Sequence, residues 1–254
     1  MVLKRIMPCL LVKEKRLVKT VNFQNATYIG DPINAVKIFN DKEVDELILL
    51  DINASKVDSP IDFELLSDFA AECFMPLAYG GGVKTIEDFK KLYRLGIEKV
   101  IVNTMLFDNP TIVKEAVKSY GSQSVVASVD VKRNENDEYV IFSHSVRMNE
   151  KTLNQFIDYV ISLGIGEIVL TSVDQEGTWN GFDEDLIDYI NKKVNIPFIV
   201  NGGCGKVGDL KKILRKTGVQ AAAIGSMAVY QKKGMGVLIR FPKRSQIIRD
   251  EQTF

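Results

Sequence analysis

MPLAYGGGVKTIEDFKKLYRLG, residues 75–96, and IPFIVNGGCGKVGDLKKILRKTG, residues 196–218, are one pattern written twice. Each copy is a short apolar run, a glycine pair, and an amphipathic stretch that closes on glycine. The copies start at residues 75 and 196, an offset of 121, and hold it until one extra residue near Thr217. The same offset lays Asp45–Asp51 (DELILLD) over Gly166–Ser172 (GEIVLTS). Arrays of small repeats have periods of roughly 20–50 residues. A period near half of a 254-residue chain instead indicates two fused halves. They run over residues 1–120 and 121–230, followed by a tail, 231–254, and the reading is of one domain spanning 1–254.

Outward from these copies, Val- and Ile-rich runs alternate with amphipathic segments, as in repeated strand–helix units on a parallel sheet. Eight runs begin near Arg5, Asp45, Pro76, Lys99, Ser124, Glu167, Pro197 and Ala221. Helical patterns over 31–44, 86–95, 153–163 and 183–193 lie between them, several opening on Asp-Pro or Thr-x-x-Asp signals. Eight such units close most naturally as a (β/α)8 TIM barrel of the α/β class, here with a twofold half-barrel repeat.

Composition excludes several function classes. Thirty-three cationic and 33 anionic side chains cancel, so no global field favours nucleic acid or an anionic membrane, and an anion site must be local. Cys9, Cys73 and Cys204 are odd in number and widely spaced. With no charged-then-apolar leader, they suggest a reducing cytoplasm. No apolar run approaches the roughly 20 residues that cross a bilayer. The one histidine, His144, lies in a polar stretch read as a solvated loop, which excludes a histidine triad or a multi-histidine metal site. No metal and no cofactor are expected.

In such a barrel the active site is built at the carboxyl ends of the strands, with a phosphate site after the last two. Gly202-Gly203 ends the seventh run and Gly225-Ser226 the eighth, so bare backbone amides can approach an anion there. Their half-barrel counterparts, Gly80-Gly81-Gly82 and Asn103-Thr104, predict a second anion site across the mouth. Two sites imply a ligand with two phosphates, near Gly82/Asn103 and near Gly203/Ser226. Asp130 ends the fifth run, where a carboxylate can serve as general acid or base. Asp51 ends the second and is expected to pair with Lys19 from a long first loop.

The opposite ends of the strands carry charge. Arg5, Glu46, Lys99 and Glu167 each open an inward-facing run: by alternation, Lys99 shares a face with Asn103 and Glu167 with Thr171. All four should line the barrel floor about 13 Å below the site, at roughly 3.3 Å per residue. Charges there carry a desolvation cost that pairing only partly offsets, so a ring of them is read as a gate, with a structural plug as the alternative.

These residues, with KRIMPCL, GDP at 30–32, YGGG, GSQSVV from Gly121, EIVLTSVDQEGT and NGG, resemble the cyclase subunit of imidazole glycerol phosphate synthase over residues 1–230. The resemblance implies a barrel that receives ammonia from a glutaminase partner through the ring of Arg5, Glu46, Lys99 and Glu167. It implies phosphate-holding positions at Gly82, Asn103, Thr104, Gly203 and Ser226, a substrate-loop lysine at Lys19, and Asp51, Thr171 and Gly177 within the substrate site.

Two departures stand out. The family reaction uses opposed aspartates ending the first and fifth strands; Asp130 is present, but the first position is Leu11. Leucine transfers no proton, and losing one of an acid/base pair removes about 10²- to 10⁴-fold in rate. Glu176 stands where the family has aspartate. With a tail, MGVLIRFPKRSQIIRDEQ, unlike the family's last helix, the pattern resembles a paralogous branch linked to surface-polysaccharide synthesis. There the barrel and its glutaminase supply ammonia for sugar amidination. Three readings follow: ammonia delivery to a phosphorylated acceptor with Asp130 as the remaining acid/base group; the histidine-pathway cyclase itself; and a non-catalytic conduit that docks an ATP-dependent amidotransferase.

Overall fold

The computed structural model describes residues 4–54, 59–143 and 151–248; His144 lies outside them. In chain order, β1 (Arg5–Lys13) leads into a hairpin of β2 (Arg16–Val21) and β3 (Gln24–Gly30), then β4 (Leu47–Asp51), β5 (Leu77–Gly80), β6 (Lys99–Val102) and β7 (Val125–Arg133). A short β8 (Tyr139–Ile141), then β9 (Glu167–Ser172), β10 (Phe198–Asn201) and β11 (Val219–Ile224) follow. All eight predicted runs are strands. They pair in parallel in the order β1-β4-β5-β6-β7-β9-β10-β11, and β11 returns to β1 through Arg5↔Ala221 to Pro8↔Ile224. The sheet is a closed eight-stranded barrel, as expected.

Two apolar layers account for strands that are hydrophobic on both faces. Outside the barrel, Phe39, Phe69, Phe89 and Phe156 of α1 (Pro32–Asp41), α2 (Phe63–Glu72), α3 (Ile86–Arg94) and α6 (Leu153–Ser162) are fully buried against the sheet. Inside it, Met7, Cys9, Leu11, Ile48, Ala78, Ile101, Val126, Val169, Ile199, Ala221 and Ala223 fill the lumen. Every second residue of a strand enters one layer or the other, so the parity used to place the floor charges holds.

Helix limits follow local chemistry. Asp31 accepts from Asn34 N (2.8 Å) with Pro32 opening α1. The helix stops at Asp41 rather than 44, because Glu43 takes a left-handed φ of 51°. Thr85 and Asp88 form a capping box on α3, and the Asp88 carboxylate accepts from Lys84 N and Thr85 N. Asp209 does the same for Gly205 N (2.9 Å) and Lys206 N (3.1 Å) at the start of α8 (Val207–Leu214). The sequence repeat is therefore also a geometric one.

The long first loop is a β-hairpin. β2 pairs antiparallel with β1 and β3, extending the barrel wall above the mouth, and β8 extends β7 in the same way in the second half. Lys19 thus stands on a strand. No helix of the described residues is long and apolar enough to cross a membrane.

Candidate active site at the barrel mouth

The floor charges meet in one closed ring. Arg5 bridges Glu46 (2.5 Å) and Glu167, and Lys99 bridges Glu46 Oε1 (2.9 Å) and Glu167 Oε2 (2.8 Å). The carboxylates are nearly inaccessible, at 4% and 6% side-chain exposure, while the cations reach toward solvent below the barrel. Each Glu sits between two cations, which offsets the cost of placing both in a low-dielectric lumen.

At the carboxyl ends of the same strands a single cavity is lined by every mouth residue named above: Lys19, Asp51, Gly82, Asn103, Thr104, Asp130, Thr171, Gly177, Gly203 and Ser226. Asp130 is its chemical centre. Asn103 Nδ2 donates to Asp130 Oδ2 (3.0 Å) and to the Ser128 carbonyl (3.1 Å), Ser128 Oγ donates to Asp130 Oδ1 (3.3 Å), and Thr171 adds a further bond. Asn201 Nδ2 donates to Thr171 Oγ1 (3.2 Å), holding the threonine in place. Burial pushes Asp130 up to about 6, against these hydrogen bonds, which favour the carboxylate. Leu11, Leu50 and Ile101 share the cavity wall, so the mouth is apolar on the side where the resemblance places a second aspartate. Cys9 is beside them. Burial pushes its thiol up to about 12, which keeps it protonated and unreactive.

One expectation needs correction. Lys19 does not pair with Asp51. Its ammonium is buried in an ion pair with Glu176, and a methyl built at Gly225 would lie 2.8 Å from Lys19 Cε, so the lysine stands over the Gly225-Ser226 turn. Asp51 has the opposite strand parity to Glu46 and turns back on its own loop, accepting from Asn53 N (2.9 Å) and Ala54 N (3.0 Å). Asn103, expected to hold phosphate, has its side-chain amide committed to Asp130, which leaves its backbone for an anion.

The glycine turns have a steric reason. Gly81 and Gly202 have φ of 125° and 100°, and a Cβ on either would fall 2.4 Å from the Asp51 carbonyl or 2.6 Å from that of Ser172, its half-barrel counterpart. Gly82 and Gly203 continue these turns with φ of 69° and 95°. Gly177 is required for a different reason: a Cβ there would meet the Thr20 carbonyl at 2.4 Å, where the hairpin crosses the β9 loop.

Sequence reasoning missed Ser128, Asn201, Thr20 and Trp179. Ser128 precedes Asp130 by two on the same inward face and was legible by parity. Glu176 was noted only as a departure, yet it is the hub of the hairpin contact, accepting from Lys19, Thr20 Oγ1 (3.0 Å) and Phe23 N (3.1 Å). Among the described residues no group of three or more His, Cys, Asp or Glu could hold a metal ion.

This barrel, with its charged floor ring and duplicated glycine turns, matches one family model, described as "Histidine biosynthesis protein", over residues 5–234. The chain belongs to the histidine biosynthesis protein family. Among its relatives in that family is a protein of Pseudomonas aeruginosa named "Putative imidazole glycerol phosphate synthase subunit hisF2", 43% identical over 95% of this chain and 97% of the relative. A hisF3-named protein of Vibrio vulnificus is 40% identical over 97% and 95% of the two chains. "Imidazole glycerol phosphate synthase subunit HisF" of Streptococcus sanguinis is 36% identical over 91% and 92%. The histidine biosynthesis family match ends at residue 234, so most of the tail lies beyond it.

Proposed function

We propose that the chain is the synthase subunit of a glutamine amidotransferase pair, taking ammonia from a glutaminase at the barrel floor and delivering it to a phosphorylated acceptor at the mouth. The observation that carries this reading is one barrel with a closed charge ring at its amino end and a carboxylate of raised pKa at its carboxyl end. Names of relatives as imidazole glycerol phosphate synthase subunits support the same assignment.

The chemistry follows from what lies between. Glu46 Oε1 is buried and lies 2.9 Å from the Lys99 ammonium, so a molecule passing the ring meets a carboxylate acceptor beside a cation. Above the ring the lumen is apolar, with small side chains at Ala78, Ala221 and Ala223. Neutral ammonia loses little hydration there, whereas ammonium would pay an ion's desolvation cost, so the lumen selects the nucleophilic form. At the mouth, Gly82/Thr104 on one side and Gly203/Ser226 with Lys19 on the other hold the acceptor's phosphates. Asp130, poised near neutrality, takes or returns the proton.

Leu11 directs the acceptor chemistry away from cyclisation by two opposed carboxylates. On that ground the reading is the branch that supplies ammonia for sugar amidination in surface-polysaccharide synthesis, with an ATP-dependent amidotransferase as a further partner. That pair would work in the cytoplasm, consistent with three free cysteines. The intact ring and Asp130 equally suit the histidine-pathway cyclase.

Lys99→Ala tests the central claim. With the glutaminase bound, glutamine hydrolysis should continue while its ammonia no longer reaches the acceptor, and activity with ammonium salt should remain. Unchanged coupling would remove the gate from the mechanism.

A further inference from the structure

A second cavity lies outside the barrel, between α8 and the tail. This open-sided cavity has a volume of about 640 Å³, against about 200 Å³ for the mouth, within the roughly 300–1,000 Å³ of small-molecule sites. Lys206 at the start of α8, Lys232 and Lys233 in the turn after α9 (Ser226–Val229), and Arg240 in the tail all line it. One carboxylate, Asp209, is also there, but its Oδ2 is committed to Gly205 N and Lys206 N. None of the three lysines has an ion-pair partner among the described residues. In a chain of zero net charge, cations gathered from three separate segments around one concavity repel one another unless an anion fills it.

The other walls carry Trp179, Phe241 and Met227, with the neutral polar side chains of Asn180 and Gln246 beside them. We propose that this cavity binds a nucleotide, its di- or triphosphate held by Lys206, Lys232, Lys233 and Arg240 and its base against the aromatic walls. An aromatic wall facing a cationic one suits a planar ring joined to a polyanion. The volume, inside the small-molecule range, favours a small molecule over an acidic peptide. The site is separate from the mouth yet touches it, because Trp179 lines both cavities. That residue holds a left-handed φ of 69°, and its carbonyl lies where a Cβ on Gly205 would be, 2.4 Å away, so the loop is closely fitted to α8.

Trp179 is the chain's only tryptophan, which supplies the readout. The full-length protein is titrated with ADP, following its tryptophan fluorescence and, independently, equilibrium dialysis. Saturable binding is expected, weakened by salt and absent with adenosine. Lys232→Glu with Lys233→Glu, both exposed positions, should weaken ADP binding at least about tenfold without lowering the melting temperature. Ser226→Glu, which repels phosphate from the mouth, should leave ADP binding unchanged. Loss of binding in the mouth variant but not in the lysine variant would place ADP at the mouth and overturn the proposal. So would no saturation by about 10 mM ADP, equal binding of adenosine, or tighter binding of a polyglutamate peptide.

Discussion

Leu11 and Asp130 share one cavity, and the leucine takes hydration from the aspartate that Ser128, Asn103 and Thr171 only partly replace. An ordinary aspartate titrates near 3.9, whereas burial holds Asp130 at about 6. Between those values the folded protein keeps a proton that the unfolded chain has released. Stability therefore falls as pH rises through that window and stays lower above it, by up to about 3 kcal/mol. Asp130→Asn should remove this slope and stabilise the protein at pH 8 by about 1–3 kcal/mol, read from urea unfolding across pH 4–8. The same substitution should cost about 10²- to 10⁴-fold in acceptor turnover. In the parent protein the rate should fall below pH 6, where the base becomes protonated. A flat unfolding free energy from pH 4 to 7 would mean that Asp130 is not desolvated. Leu11→Asp asks the complementary question. Supplied with the histidine-pathway intermediate and ammonium salt, the variant should outpace the parent at least about 10²-fold, the lower end of an acid/base contribution. A parent already as fast would make the histidine-pathway cyclase the better reading.

The β2–β3 hairpin is held to the β9 loop by buried charge rather than by an apolar face: β3 is largely exposed, and Lys19 and Glu176 are 7% and 6% exposed. Burying two ions contributes little net stability, but removing one leaves the other uncompensated at about 3–5 kcal/mol. Glu176→Ala should therefore destabilise by that amount and speed amide exchange over residues 16–30. Lys19→Met with Glu176→Met should recover most of the stability without recovering phosphate affinity. If Glu176→Ala alone proves neutral, the hairpin is held by its backbone pairing to β1. The pattern of this element was hard to read in advance. QNATYIG in β3 carries no clear alternation because most of it faces water, and the partner of Lys19 is 157 residues away.

Across the whole molecule the floor ring is the least economical feature for stability. Four charges from β1, the start of β4, β6 and β9 are held in a lumen that apolar side chains fill elsewhere. Replacing the set together, Arg5→Met, Glu46→Leu, Lys99→Met and Glu167→Leu, should leave stability unchanged or raise it by about 1–4 kcal/mol, while ammonia transfer from the glutaminase is lost. Thermal unfolding and the coupling ratio measure the two effects separately. A large loss of stability would make the ring a structural plug.

Local chemistry in the chain was enough to determine eight parallel strands, their half-barrel repeat, the glycine turns and the parity that puts Arg5, Glu46, Lys99 and Glu167 on one face. Each depends on spacing along a single strand or turn: a two-residue period, a positive φ, a capping carboxylate. Tertiary structure alone decided which groups meet. Asn103 reaches across 27 residues to Asp130, and Asn201 across 30 to Thr171. Lys19 chooses Glu176 over Asp51, and the tail closes a basic cavity against α8. Such pairings depend on where barrel closure sets separate loops. No local pattern encodes them, because what selects a partner is the cost of leaving a buried polar or charged group unpaired.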